Sequence, residues 1–569
     1  MQTNQKLCGK NGRIEDFALL TKEPRTFSLL EFEFSVTDLP QEINVYREEE
    51  LDIVFTMVSE SGKIVKIPAF YYEEFRFTTS AYLIGRTDKP GCFRVRVSPP
   101  EAGVWQYTVT LSIYGEEKDS LSGTVTVAKS EQGSKVLQVE PNRRQVFETA
   151  DGEPVFFIGR NLAWNATPHT PGTFSQYTVD NIRLLSQNGG NIFRIWDVNF
   201  CVNCNRKAVH EMHQHAGAMW DKVFEAADQN HVYISYVMFP HGELSTTCDA
   251  DFCRGIFSKE RGGYLDNAAD FFSDEPSIAA VKTYIRYIIS RFGYSEYIVW
   301  EMFNEIDHVD AMNQGRVDEV RVWLDNTAAY IRGLDPYHHL VSNSVHTCFH
   351  PILADSIDFI YHHRYNQYAL SSVSDLCRRS WEDYNRPVVM GEFGWAGAEV
   401  TSVLGGYFAS DFLGMHQGDW ACMMGGGASN GWCWWWDSMP KYGDPYAMFR
   451  SLSAMAKRIP WADPNMKAIT SETLQAGENT RIETLGYISE TYAYLWFYDN
   501  RFSALKRDEM VFENATLPLS LKDGVYQVEW INSFSGEAIQ TTTETAKGGK
   551  LLLAMPTWSQ EIALVVTEK

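Results

Sequence analysis

Two short stretches of this chain end in a carboxylic acid where an apolar run stops. The first is Tyr297-Ile-Val-Trp-Glu-Met-Phe-Asn-Glu-Ile306, in which apolar and aromatic residues run into Asn304 and Glu305. The second is Pro387-Val-Val-Met-Gly-Glu-Phe-Gly-Trp395, which delivers Glu392. A short apolar run ending abruptly in polar residues reads as a buried strand with those side chains at its C-terminal tip. One glutamate in such a place is more often a strand-end charge meeting solvent. Two of them match what cleavage of a glycosidic bond requires: one acid to protonate the leaving oxygen, one carboxylate to attack the sugar or activate water.

The elements that must position these groups are legible in the same way. Within residues 135–462, strands and helices alternate, which is the (β/α) pattern. The expected strands are Val155–Gly159, Asn191–Trp196, Tyr233–Phe239, the first stretch above, Leu340–Ser344, Phe359–His362, Pro387–Gly391 and Gly431–Trp436. Amphipathic segments at Tyr177–Gln187, Ala216–Gln229, Ile278–Phe292, Val317–Leu334 and Leu370–Tyr384 lie between them. The gap between the fifth and sixth strands is too short for a full helix. Polar and aromatic residues collect at the expected strand tips: Asn161 and Trp164; Arg194, Trp196 and Asp197; His241 and Glu243; Asn304 and Glu305; His346; His362, His363 and Tyr365; Glu392; Trp434, Trp436 and Asp437. Residues 1–130 alternate with period two between turn signals, and residues 465–569 return to that pattern, so both read as β-sandwiches. The expected fold class is α/β: a central (β/α)8 TIM barrel flanked by N-terminal and C-terminal β-sandwich domains.

Trp-Glu-Met-Phe-Asn-Glu at 300–305 and Gly-Glu-Phe-Gly-Trp at 391–395 resemble the strand-four and strand-seven signatures of the clan A glycoside hydrolases. These are (β/α)8-barrel retaining enzymes that include cellulases, β-mannanases and β-galactosidases. The resemblance implies Glu305 as general acid/base and Glu392 as nucleophile. It implies a hydrogen bond from Asn304 to the sugar 2-hydroxyl, and Arg194 close enough to Glu392 to keep it ionised. Tyr365, or a neighbouring histidine such as His363, would hydrogen-bond the nucleophile, and Trp434 or Trp436 would form the sugar platform. Glu301, four residues before Glu305, is by the same resemblance a structural carboxylate paired with a cation. Asn161, Trp164, Trp196 and His241 complete the expected substrate-binding set. The clan also holds α-L-arabinofuranosidases, so the anomeric sense stays open, as do the sugar and endo against exo action. A transglycosylase using the same pair, or a carbohydrate-binding barrel without catalysis, are the alternatives.

The resemblance implies a carbohydrate partner, and composition disfavours two others. A net charge of -23 over 569 residues disfavours nucleic acid and anionic membrane surfaces. No apolar run approaches the ~18 residues of a membrane span. The first residues, Met1 to Lys10, lack a signal-peptide core, so the expected location is cytoplasmic, or secreted if a signal was trimmed. Imported short oligosaccharides, bound in a pocket, would suit that location. The ten cysteines are scattered as reduced thiols are, and no cofactor is expected. Cys201 and Cys204, with His210, His213 and His215 close behind, have zinc-ligand spacing, and Cys248 with Cys253 could approach that loop. A loop with free thiols, a zinc site, a disulfide and a histidine contact to sugar are the readings open there.

Overall fold

A computed structural model describes residues 12–139, 145–165, 172–198, 202–204, 207–346, 356–365, 370–394, 412–441, 443–503 and 507–569. Its middle is built of parallel strands: β1 (Gly159–Asn161), β2 (Ile192–Trp196), β3 (Tyr233–Pro240), β4 (Ile298–Asn304), β5 (Val341–Ser342), β6 (Ser344–Val345), β7 (Ile360–Tyr365), β8 (Val388–Gly394) and β9 (Gly431–Cys433). β1 to β5 form one parallel sheet in chain order, and β6 to β9 a second. Only Asn343 separates β5 from β6. At the other end, Phe157 pairs in parallel with Ser429, and Asn430 Oδ1 accepts the Gly159 amide at 2.8 Å. β3, β4 and β8 are buried at every position, which is why they read as continuous apolar runs rather than alternating ones.

Helices cover these strands: α1 (Thr173–Gln187), α2 (Gln214–Asn230), α3 (Glu275–Phe292), α4 (Val317–Leu334), α5 (Leu370–Tyr384), α6 (Leu413–Met424) and α7 (Phe449–Ala456). The start of α3 shows the local logic. Asp274 caps it by accepting the Ser277 amide at 2.9 Å, and a proline sits in its first turn, where no amide donor is needed. The α4 and α5 spans coincide with the segments expected from periodicity. α6 carries no amphipathic signal because every one of its residues is buried.

Five strand expectations are corrected. The first runs over Gly159–Asn161 instead of Val155–Gly159, and the seventh runs on to Gly394. The eighth stops at Cys433 instead of running to Trp436. The fifth is broken at Asn343. The sixth continues through Tyr365, with a bulge opposite, at Gly391, between the His362–Met390 and His363–Glu392 pairs. The expected short fifth crossover falls largely on residues 347–355, outside the described residues.

On the N-terminal side, two four-stranded antiparallel sheets share one apolar core that includes Phe32, Phe55, Val95 and Trp105. On the C-terminal side, a six-stranded antiparallel sheet is built around Tyr492–Asp499 and Glu561–Glu568. Its Tyr487, Trp496 and Val565 belong to the same continuous core as α6 and the central strands. None of the described helices is long and apolar enough to cross a membrane.

Candidate active site

The site is organised on Arg194. Its position inside β2 places a fully buried guanidinium among the tips of four other strands. Nε and Nη2 make a two-pronged ion pair with Glu301 on β4, each contact 2.7 Å. Nη1 donates to Glu392 Oε1 on β8 at 2.6 Å and to Asn161 Oδ1 on β1 at 3.2 Å. Nη2 also reaches Asn304 Oδ1 at 2.5 Å. Such a fork fixes both orientation and charge. Glu301 is thus the partner of a buried cation, as the resemblance implied.

Glu305 follows β4 with φ 44° and ψ 55°, the left-handed region that non-glycine residues seldom adopt. The Ser344 hydroxyl accepts its amide at 3.0 Å, so this turn is held from β6. Glu392 is aimed by the β8 bulge. A Cβ at Gly391 would lie 2.6 Å from the Tyr361 ring, so only glycine fits there. His363 Nδ1 joins the two acids, 2.9 Å from Glu305 Oε1 and 3.4 Å from Glu392 Oε1. Single carboxylate oxygens of Glu305 and Glu392 and a His363 nitrogen all lie within 4.8 Å of one another. The Tyr365 hydroxyl donates to Glu392 Oε2.

The two carboxyl groups differ electrically. Burial raises the Glu305 pKa well above the usual carboxylate range, and the charge on Glu392 raises it further. Burial also raises Glu392, but Arg194 and the Tyr365 hydrogen bond pull it back down. Of the pair, Glu392 therefore ionises first. Burial, with the positive charge of Arg194 next, holds His363 well below the usual imidazole value, so the ring is neutral.

The remaining expected residues divide into two groups. His241 belongs to the site: its Nδ1 lies 2.8 Å from Asn304 Nδ2 and 3.7 Å from Glu305 Oε2. Trp164, Trp196 and Trp434 form an aromatic wall, with ring centroids 5.2–5.6 Å apart. Trp436 packs behind it, buried, its indole donating to the Trp164 carbonyl at 2.9 Å. Because β9 ends at Cys433, strand alternation does not reach Trp434 and Trp436, and only Trp434 is partly open. Asn161 is corrected from substrate ligand to brace. It is fully buried, and its amide donates to the carbonyls of Gly391 and Trp432 at 2.8 and 3.1 Å. His362 and Asp197 are strand-tip residues engaged elsewhere. His362 meets Ser380 on α5 at 2.8 Å, and Asp197 accepts from Tyr284 on α3 at 2.6 Å.

Sequence reasoning missed Ser344 and His308. A lone serine in a short strand carries no signal. His308, three residues after Glu305, was findable; its Nε2 lies 2.9 Å from His346 Nδ1.

Among the described residues, those of the Cys/His loop do not gather as zinc spacing suggested. Cys201 lies outside the described residues. Cys204 is fully buried, and His210 is engaged by Thr283 at 2.8 Å. Cys248 and Cys253 are both free, so they form no disulfide. Among the described residues, the groups spaced to hold a metal are Glu305–His363–Glu392 and His241–Cys248–Asp249.

No protein-family model matches this sequence, and no curated protein matches it. Solved structures do. The chain is similar to a putative glycoside hydrolase from Bacteroides vulgatus, with a TM-score of 0.63 at 14% identity, over 96% of this chain and 100% of that one. It is also similar to a protein described as a glycoside hydrolase, with a TM-score of 0.50 at 12% identity, over 76% of this chain and 97% of that one. The chain is a mixed α/β protein that shares its fold with glycoside hydrolases.

Proposed function

We propose that this protein is a retaining glycoside hydrolase of the clan A type. Its parallel strands β1 to β9 form a (β/α)8 barrel spanning residues 135–462, and its flanking sheets form sandwiches over 1–130 and 465–569. The observation that carries the mechanism is the close approach of Glu305 and Glu392, with an oxygen of each inside a 4.8 Å cluster. Retaining enzymes hold their carboxyl groups about 5–5.5 Å apart; inverting enzymes leave about 6.5–9.5 Å for a water. The observed spacing suits the first.

In this reading Glu392, kept ionised by Arg194 and Tyr365, attacks the anomeric carbon. Glu305, protonated in the free enzyme, gives its proton to the departing oxygen. Water then cleaves the glycosyl–Glu392 ester while Glu305, now ionised, takes the water's proton. Asn304 is oriented by Arg194 at its oxygen and by His241 at one amide hydrogen, which leaves the other hydrogen for the sugar 2-hydroxyl. Trp434 supplies an apolar face for the ring.

A panel of aryl glycosides and oligosaccharides identifies the sugar, and NMR of the first-formed product reads its anomeric configuration. Retention is expected. A product released with inverted configuration would remove this reading.

A further inference from the structure

One cluster on the rim of the site shares only His241 with the proposed reaction. His241 Nε2 lies 3.1 Å from Asp249 Oδ2 and 3.8 Å from Cys248 Sγ, and one ligand atom from each of the three residues falls within 4.8 Å of the others. Tetrahedral zinc, with its usual bond lengths, needs edges of about 3.6 Å between sulfur and nitrogen and about 3.3 Å between nitrogen and oxygen. The observed separations are within a few tenths of an ångström of both. One thiol, one imidazole and one carboxylate suit a borderline-soft ion better than magnesium or calcium. The Asp249 side chain is 82% exposed and that of His241 only 3%, so a cation arriving from solvent reaches a buried ring.

The far edge of that ring supplies a second, independent observation. Asn304 Oδ1 accepts from Arg194 and from Ser344, so the Asn304 amide nitrogen faces His241 Nδ1 and donates to it. His241 Nδ1 is therefore an acceptor, and the ring proton sits on Nε2, directed at Asp249. A metal on Nε2 displaces that proton, and a neutral metal-bound imidazole carries its hydrogen on Nδ1. Two N–H donors would then face each other across the present 2.8 Å contact. Asn304 must then release His241.

We propose that His241, Cys248 and Asp249 form a regulatory site for a zinc-class cation whose occupation disables Asn304. On binding, the Cys248 thiol releases its proton to solvent, and the His241 proton moves from Nε2 to Nδ1 by exchange with water. The catalytic consequence rests on the glycosidase reading; the binding does not.

Cobalt(II) is titrated into the full-length protein and read by its thiolate charge-transfer absorption. One cobalt per chain with that band is expected, lost in Cys248→Ala and kept in Cys253→Ala. In parallel, zinc lowers wild-type turnover about 10-fold or more. Chelator restores that turnover, and Cys248→Ala keeps its activity at the same zinc concentration. No charge-transfer band, or one that survives Cys248→Ala, overturns the site. Equal zinc inhibition in wild type and Cys248→Ala overturns the coupling. Failure to turn over any glycoside overturns the catalytic half together with the proposed function, and the cobalt band still decides the site.

Discussion

Glu305 and Glu392 have the same side chain and opposite assigned roles, so their variants must fail differently. On the proposed mechanism Glu392→Ala removes the group that would form the covalent intermediate, and turnover of every substrate should vanish. Glu305→Ala should cost roughly 10²–10⁴-fold on glycosides with poor leaving groups, and far less on activated aryl glycosides, which need little protonation. Azide should rescue Glu305→Ala to a product of retained configuration and Glu392→Ala to an inverted one; the opposite pairing would exchange the roles. Tyr365 offers a finer test. Its hydroxyl donates to ionised Glu392, so Tyr365→Phe should raise the Glu392 pKa. Since the reaction needs that carboxylate ionised, the acid limb of the kcat/KM profile should move to higher pH. An unmoved limb with lowered activity would make Tyr365 a packing residue only. The alkaline limb belongs to Glu305 and should stay in place.

At the scale of elements, Asp197 ties the end of β2 to the helices behind it. It accepts from Tyr284 on α3, from the Trp220 indole on α2 at 3.3 Å and from the Cys204 amide at 2.9 Å. Burial pushes its pKa from 3.8 to about 7, against those three donors. The folded state therefore binds more protons at this group than the unfolded chain between those two values. Stability from Asp197 is full below pH 3.8 and is lost as pH rises through about 7, by about 4 kcal/mol in all. Asp197→Asn should flatten the decline of Tm across this window. An unchanged slope would mean that the group does not titrate there, and the residual slope belongs in part to Asp228, which burial also raises to about 7.

At the scale of the molecule, the N-terminal sheets are fastened to the helical layer by a buried charge cluster. Asp221 on α2 sits between Arg96 of an N-terminal strand and Arg291 of α3, 2.6 Å from each. The two guanidiniums hold its carboxyl down at about 2. Glu296 makes a second joint, accepting from Ser98 at 2.8 Å and Ser134 at 2.7 Å. Asp221→Ala leaves Arg291 buried with only Gln214 and Tyr287 as neutral partners, a loss of about 3–5 kcal/mol. A lower Tm and faster proteolysis between Ala128 and Lys135 are expected. A variant as stable and as protease-resistant as wild type would show that the joint carries little.

Short runs that are apolar on both faces, such as 298–304 and 388–394, read as interior strands when they are only about four to eight residues long, so the sequence alone located the two acids at strand tips and the alternation of strands and helices around them. Arg194 beside Glu392, and a cation beside Glu301, came from the resemblance to clan A and not from the pattern. Which atoms meet was decided only by the tertiary structure. The Gly391 bulge rotates Glu392 into register with His363, a one-residue offset that leaves no periodic trace. Ser344, Asn161 and Cys248 acquire their roles through neighbours 39, 271 and 7 residues distant in the chain. For α6, burial on all sides erased the amphipathic signal that identifies a surface helix. For Trp436, the end of pairing at Cys433 broke the alternation on which a shared face with Trp434 depended. Local pattern records which side of an element is buried; long-range packing chooses the partner, and hydrogen-bond geometry follows the partner.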